Sequence, residues 1–232
     1  ALAEFMLADA RLVAKRPVNL DPRQSAALPL ASITAWDALY DRGQVKEGMR
    51  VLVHGGCGGV GHVGLQLAKA AGAEVTTTVS TLDKAGIALD LGADHVVLYP
   101  ERGVDDYVQE YTGGVGYDLV FDTVGDANLQ NSFAAIRLHG TVVSIAARSE
   151  QDLSQLHIRG GTLSVTFMLL PLITGKGRDR HGEILRELTR FVEAGKIRPL
   201  LDESRFSMKE VGPAHARLEA GQALGKVSLA WT

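Results

Sequence analysis

The chain has 232 residues, 46% hydrophobic and 22% charged, enough for one large domain or for one domain plus part of another. Its 24 Lys+Arg against 27 Asp+Glu give a net charge of −3, which carries no footprint of sequence-independent nucleic-acid binding. A single cysteine excludes an intramolecular disulfide framework and any multi-cysteine zinc site built from this chain, and no apolar run approaches the roughly 18–20 residues that span a bilayer.

Residues 1–30 hold Pro17, Pro22 and Pro29 and no clear βα unit. Ala1–Ala10 is partly apolar but carries Glu4 and Asp9 and lacks a basic leader, so it does not read as a signal peptide, and a cytoplasmic protein is expected. From residue 49 onward strands and helices alternate. Val51–Val53 is predicted as a strand, and a helix follows near Val60–Ala71 with Val60, Val63, Gly64, Leu67 and Ala71 on one face and Gly72 as its αL cap. Further strands are predicted at Val75–Val79, Asp94–Leu98, Asp118–Phe121 and Thr141–Ile145, with helices at Lys84–Leu91, Asp105–Tyr111 and Leu129–Leu138 between them. Such alternation predicts an α/β, doubly wound parallel sheet. The apolar Leu163–Leu170 and the basic loop Gly175–Arg180 precede an amphipathic helix carrying Ile184, Leu185, Leu188, Phe191 and Val192. A helix near Met208–Ala220 and a strand at Lys226–Trp231 complete the pattern.

The richest stretch is Gly56-Cys57-Gly58-Gly59-Val60-Gly61, a G-x-G-x-x-G fingerprint directly after a strand and opening a helix. Glycines there permit the tight turn, let the main chain approach a pyrophosphate and allow close packing, while the helix N-terminus favours the anion. A dinucleotide site is therefore expected, against a purely structural turn or an S-adenosylmethionine site as alternatives. Ser80 lies 19 residues beyond Gly61, where a carboxylate would hydrogen-bond the ribose 2′-hydroxyl of NAD. A hydroxyl there, with Lys84 four residues on, favours a 2′-phosphate and hence NADPH over NAD(H). The same residues allow a plainer account, in which Ser80 or Thr81 caps the helix that carries Lys84.

Taken together, Ala26–Leu39, His54–Gly61, Leu91-Gly-Ala-Asp-His-Val-Val97, Tyr117–Gly125 and Gly225-Lys-Val227 resemble the medium-chain dehydrogenase/reductase superfamily, in its zinc-independent quinone oxidoreductase branch. The resemblance implies a Rossmann dinucleotide-binding domain over 26–195, with remnants of a GroES-like catalytic domain at both ends (1–25 and 196–232). It implies hydride transfer from NADPH to a small carbonyl or quinone substrate, and a homodimer paired along Thr162–Leu170. It further implies that Ser80, Lys84 and Tyr99 contact the adenosine 2′-phosphate, and that Gly56, Gly58, Gly59, Val60 and Gly61 form the phosphate loop. Thr34 lies near the nicotinamide on this reading, and Asp122–Gly125 (with Val124) and Ser144–Ala147 (with Ile145 and Ala146) line the nicotinamide-ribose side. For Thr34 a helix N-cap is an equal alternative; for Tyr99 a half-buried strand-end aromatic; for Asp122 a turn residue that never touches cofactor.

Departures from the family pattern carry their own expectations. Zinc-dependent members place a cysteine where this chain has Leu30, an aliphatic side chain that cannot ligate a metal, so no zinc is expected. Cys57 reads as a small loop filler, and the seven histidines show no metal-ligand spacing. The β-rich bulk of the family's catalytic domain is expected to lie outside this chain, together with part of the substrate pocket. No catalytic acid is assigned. A zinc-dependent alcohol dehydrogenase and a non-catalytic NADPH-binding sensor are the rival functions.

Overall fold

The computed structural model describes residues 2–231; Ala1 and Thr232, the outer limits of the expected domain division, lie outside the described residues. In chain order the helices and strands are α1 (Pro22–Ala26), α2 (Pro29–Trp36), β1 (Arg50–His54), α3 (Gly61–Ala70), β2 (Glu74–Val79), α4 (Leu82–Asp90), β3 (His95–Leu98), α5 (Val104–Thr112) and β4 (Tyr117–Asp122). There follow α6 (Asn128–Ala135), β5 (Ile136–Ser144), α7 (Ser154–Ile158), β6 (Thr162–Val165), α8 (Leu170–Thr174), α9 (Arg178–Glu193), β7 (Phe206–Ser207), α10 (Val211–Glu219) and β8 (Leu229–Ala230). Two compact units result, one of residues 34–167 and the other of the flanking segments up to Ile33 and from Met168. Among the described residues no helix is long and apolar enough to cross a membrane.

The unit 34–167 is the expected doubly wound α/β sheet. Its six strands run parallel in the order β3-β2-β1-β4-β5-β6. The order reverses direction between β1 and β4, and in open α/β sheets ligands bind beyond the strand C-termini at such a switch point. The central strands β1, β2 and β4 are buried over most of their length because both faces of the sheet are covered. On one face Leu52, Val120 and Val142 pack with Tyr107, Leu129 and Phe133 from the crossover helices. On the other, α3 lies so close to β4 that a Cβ on Gly64 would stand 2.6 Å from a ring carbon of Phe121.

The helix predicted at Leu129–Leu138 stops at Ala135, and Ile136–Leu138 instead begin β5. Ile136 pairs with Tyr117, and the register then shifts before Thr141 pairs with Leu119. Gly140 sits inside this irregular strand, where a Cβ would come within 3.0 Å of Ile136 Cβ and of the Tyr117 carbonyl. Leu129, Phe133 and Ile136 do share helical spacing, but strand pairing with β4 overrides it.

In the second unit α9 buries Ile184, Leu188 and Val192, as its periodicity predicts. It packs on the 3₁₀ turn Ala10–Leu12, so closely that a Cβ on Gly182 would meet the Arg11 carbonyl at 2.1 Å. Asp202 is buried there and accepts from Arg217 Nε at 2.8 Å, Arg217 Nη2 at 3.1 Å, Ser204 N–H at 2.9 Å and Leu224 N–H at 2.8 Å. Burial would raise its pKa, but Arg217 and these N–H groups outweigh that and hold the carboxyl well below the usual carboxylate range. The predicted strand Lys226–Trp231 is shorter than expected: β8 spans Leu229–Ala230 and pairs parallel with β7, with a single bridge from Leu201 to Lys226. The final helix begins as a 3₁₀ turn, Met208–Glu210, capped by Ser207 and Glu210.

Candidate functional site

Parallel register brings the predicted site residues to one edge of the sheet. His54 of β1 is level with Thr78 of β2 and Asp122 of β4, Asp122 is level with Ser144 of β5, and Val79 is level with Leu98. The glycine loop, Ser80, Tyr99, Asp122–Gly125 and Ser144–Ala146 therefore all stand at strand C-termini. Thr34 does not share this arrangement. It is buried inside α2 as that helix's sixth residue, which removes the N-cap alternative.

The loop after β1 turns at Gly55, whose φ of +74° suits glycine, and Gly58 N–H closes the turn on the Gly55 carbonyl at 2.8 Å. Gly56 is dictated by contact rather than by φ: a Cβ there would stand 2.1 Å from Thr77 Oγ1. At Gly61 a Cβ would meet the Gly55 carbonyl oxygen at 2.1 Å. The loop is thus folded back against the first turn of α3. Among the described residues none supplies an acceptor to the N–H groups of Gly59, Val60 or Gly61. Three unsatisfied donors at the positive end of a ten-residue helix make a cradle for an anion. The pyrophosphate of a dinucleotide fits this cradle.

Residues that the sequence pattern did not single out hold the loop in place. Thr78 Oγ1 accepts the Gly55 N–H at 3.1 Å and lies 3.3 Å from His54 Nδ1. Thr77 Oγ1 donates to the Val53 carbonyl at 2.7 Å, and Thr123 Oγ1 donates to the His54 carbonyl at 2.6 Å. Their only local signal is the run Thr76-Thr77-Thr78 in a buried strand. His54 is itself buried; desolvation lowers its pKa to about 4 although the Asp122 charge opposes this, so the imidazole is neutral at pH 7. It is a core histidine beneath the loop.

At the end of β2 the capping question is settled by geometry. Thr81 is the N-cap of α4, its Oγ1 accepting the Lys84 N–H at 3.3 Å. Ser80 keeps its hydroxyl for Lys84 Nζ, which donates to it at 3.1 Å. A hydroxyl and an ammonium are thus held side by side, and the first carboxylate, Asp83, is exposed in the first turn of α4. Tyr99, directly after β3, is 58% exposed, and its N–H donates to the Val79 carbonyl at 3.2 Å.

Asp122 is fully buried, and its carboxylate is spent within the protein. Oδ1 accepts the N–H groups of Val124 at 2.8 Å and Gly125 at 2.7 Å. Oδ2 accepts from Asn128 Nδ2 at 3.1 Å and Ser132 Oγ at 2.7 Å. Asp122 therefore builds the turn after β4, and what it presents at the sheet edge is the main chain of 123–125, with Val124 exposed. Ser144 plays the same part after β5, its Oγ accepting the Ala146 N–H at 3.1 Å, while Ile145 N–H donates to the Asp122 carbonyl at 3.2 Å. The two loops interlock: a Cβ on Gly125 would stand 2.2 Å from the Ala146 carbonyl.

Comparison with known proteins agrees with this geometry. The family described as zinc-binding dehydrogenase matches residues 59–189. An alcohol dehydrogenase superfamily protein of Novosphingobium aromaticivorans is 39% identical, with a TM-score of 0.89 over 96% of this chain and 68% of that one. A mycobacterial protein solved as its NADPH complex is 33% identical, with a TM-score of 0.87 over 99% of this chain and 71% of that one. Tomato (Solanum lycopersicum) 2-methylene-furan-3-one reductase is 32% identical over 98% of this chain and 52% of its own length. Lovastatin diketide synthase mokB of Monascus pilosus is 31% identical over 92% of this chain, which covers 9% of that protein. The chain thus spans about half or far less of the curated relatives it matches. The Leu30 side chain carries no ligating atom, and among the described residues no three His, Cys, Asp or Glu side chains are grouped to hold a metal. A parallel sheet with a cradle of main-chain donors at its switch point, matched in sequence over more than half its length, places this chain in the zinc-binding dehydrogenase family of the medium-chain dehydrogenase/reductase superfamily.

Proposed function

We propose that the chain is the coenzyme-binding part of a zinc-independent reductase that passes hydride from NADPH to a small electrophile: a quinone, an enone or a related carbonyl. The observation that carries the coenzyme is the Ser80–Lys84 pair at 3.1 Å, standing where an NAD-specific site places a carboxylate. When bound, NADPH supplies the hydride. The protein's share is to bind and orient it. The Gly59, Val60 and Gly61 N–H groups balance the pyrophosphate charge, and Lys84 and Ser80 donate to the 2′-phosphate with Tyr99 beside it. The main chain of 123–125 and 144–146 borders the nicotinamide ribose, stiffened by Asp122 and Ser144. Support for an activated alkene as acceptor comes from the likeness to a 2-methylene-furan-3-one reductase. Support for the coenzyme comes from the relative solved with NADPH. The same reading takes the enzyme as a cytoplasmic homodimer paired along Thr162–Leu170, where β6 is an edge strand and Val165 and Phe167 are exposed.

The test is a titration of the full-length protein with NADPH and NADH, together with turnover of a panel of quinones and enals without added zinc. The wild type is expected to bind NADPH more tightly. Lys84→Ala should lose roughly tenfold or more in NADPH affinity, the size of a charge-assisted hydrogen bond, while NADH binding stays unchanged. Equal affinity of the wild type for both coenzymes would overturn the 2′-phosphate assignment. NADPH binding without turnover of any acceptor would favour a sensor, and dependence on added zinc would favour an alcohol dehydrogenase.

A further inference from the structure

Cys57 has a place in the site that loop filling does not account for. It is the second residue of the fingerprint, buried, and the sole cysteine of the chain. Its Sγ donates to the main-chain carbonyl of Lys84 at 3.2 Å, across 27 residues of sequence. A carbonyl in the first turn of a helix keeps a second lone pair when one serves the helix, so this bond adds to α4 rather than competing with it. Lys84 is thereby fixed at three points: its N–H by Thr81, its ammonium by Ser80 and its carbonyl by Cys57. Burial raises the thiol pKa to about 11 although the Lys84 charge opposes it, so the group stays a donor at neutral pH.

We infer that Cys57 is a positioning residue for coenzyme selectivity, its thiol tying the loop that takes the pyrophosphate to the residue that takes the 2′-phosphate. The inference rests on the NADPH reading above. Its physical content is that the two phosphate subsites move as one frame. Without the tie, α4 carries Lys84 independently of the glycine loop. The ammonium then meets the 2′-phosphate with a spread of positions, while the pyrophosphate cradle, made of main-chain groups, is unaffected. The loss therefore falls on NADPH and spares NADH.

The experiment compares wild type, Cys57→Ala and Cys57→Ser in the full-length protein, with Kd for both coenzymes and thermal melting to verify folding. Cys57→Ala should lower the NADPH:NADH preference roughly two- to tenfold, the span of one modest hydrogen bond, through NADPH alone. Cys57→Ser, which keeps a donor, should recover part of it. In a Lys84→Ala background Cys57→Ala should have no further effect on the ratio, because coupled groups are not additive. A second readout needs no substitution. Thiol labelling of the wild type, localised to Cys57 by peptide mass spectrometry, should be slowed more by saturating NADPH than by saturating NADH. An unchanged ratio in folded Cys57→Ala, an equal loss for both coenzymes, or equal protection by both overturns the tie. A wild type without NADPH preference overturns instead the phosphate reading on which the tie depends.

Discussion

The sharpest test of the cradle is Gly61→Ala. The added Cβ would lie 2.1 Å from the Gly55 carbonyl oxygen and 2.8 Å from its carbon, against an ordinary contact of 3.4–4 Å. Both obstructing atoms are backbone, so no side chain can swing aside. The turn at Gly55 and the start of α3 must part by more than an ångström, and the donors proposed to face the pyrophosphate, on Gly59 to Gly61, lie at that junction. A misplacement of about 1 Å at a positioning group costs on the order of 10²-fold in rate, and overpacking costs about 1–3 kcal/mol of stability. We expect NADPH affinity and kcat/KM to fall by about 10²-fold, with a lower melting temperature. Two other glycines calibrate the result. At Gly58 the Cβ would meet the same oxygen at 3.0 Å, a contact the loop can relieve by a few tenths of an ångström, so Gly58→Ala should be milder. Gly86 lies inside α4 with nothing within 4 Å, so Gly86→Ala should leave NADPH binding alone and stabilise the protein by about 0.5–1 kcal/mol. Fluorescence titration with NADPH and differential scanning calorimetry on the three variants give the comparison. If folded Gly61→Ala binds NADPH within about twofold of the wild type, the cradle does not depend on this contact and the argument from close approach is wrong.

Two further outcomes concern the frame beneath the cradle. His54 has a folded pKa of about 4 against an ordinary 6.5, so between those values the unfolded chain binds the extra proton. Its contribution is therefore complete above pH 6.5 and lost progressively as pH falls towards 4, a difference of roughly 3 kcal/mol, and His54→Gln should flatten that part of the profile in urea denaturation. A profile with the same slope in His54→Gln as in the wild type would place the titration elsewhere. Phe133 is fully buried among Tyr107, Tyr117, Leu129 and Ile136, and Phe133→Ala should cost about 3–5 kcal/mol in the same assay. The NADPH Kd of its folded fraction should stay at the wild-type value, since Phe133 belongs to the core cluster and is not among the residues of the proposed site; a shift in Kd would show that core and cradle are coupled.

The sheet was legible because a strand buried on both faces favours apolar and β-branched residues, and Val51–Val53, the valines and threonines of Val75–Val79 and Leu119–Phe121 show that preference without help from distant partners. Legibility failed where pairing decided the structure. Leu129 to Leu138 carries one helical stripe, yet Ile136 leaves the helix because Tyr117 offers it a strand partner ahead of the register shift, and nothing local announces that. The two-residue strands β7 and β8 are too short to show a period. At the site, the fingerprint located the loop, but the forces that shape it came from outside the motif. The turn's left-handed residue is Gly55, one position before the pattern, and the loop's anchors are Thr77 and Thr78 on β2 and Thr123 just after β4. Between Ser80 and Thr81 the sequence offered two equal capping residues, and only coordinates could assign the cap to one and leave the other to Lys84.

A common rule underlies these anchors. Each loop at the switch point is fixed by a side chain bonded to main chain, buried in all but Thr123: Thr78 and Thr123 on the loop after β1, Asp122 after β4, Ser144 after β5. Binding through main-chain N–H groups requires this, because a peptide group has no rotamers and takes its aim from the backbone that carries it. A cradle of unsatisfied donors would otherwise relax onto protein acceptors or fluctuate with its loop, and the coenzyme would have to supply the ordering free energy on binding. Fixing the loops from residues at the strand ends places that cost in folding instead, so that on the proposed reading the pyrophosphate meets donors already aimed at it. The selectivity pair is built differently: Lys84 is a long side chain on a helix, and its aim comes from Thr81, Ser80 and Cys57 rather than from the sheet. On the proposed reading, coenzyme affinity rests on the loops anchored from the sheet and selectivity on Lys84, with Cys57 as the tie between them, and substitutions at Ser80 or Lys84 should change which coenzyme is preferred while leaving the pyrophosphate cradle intact.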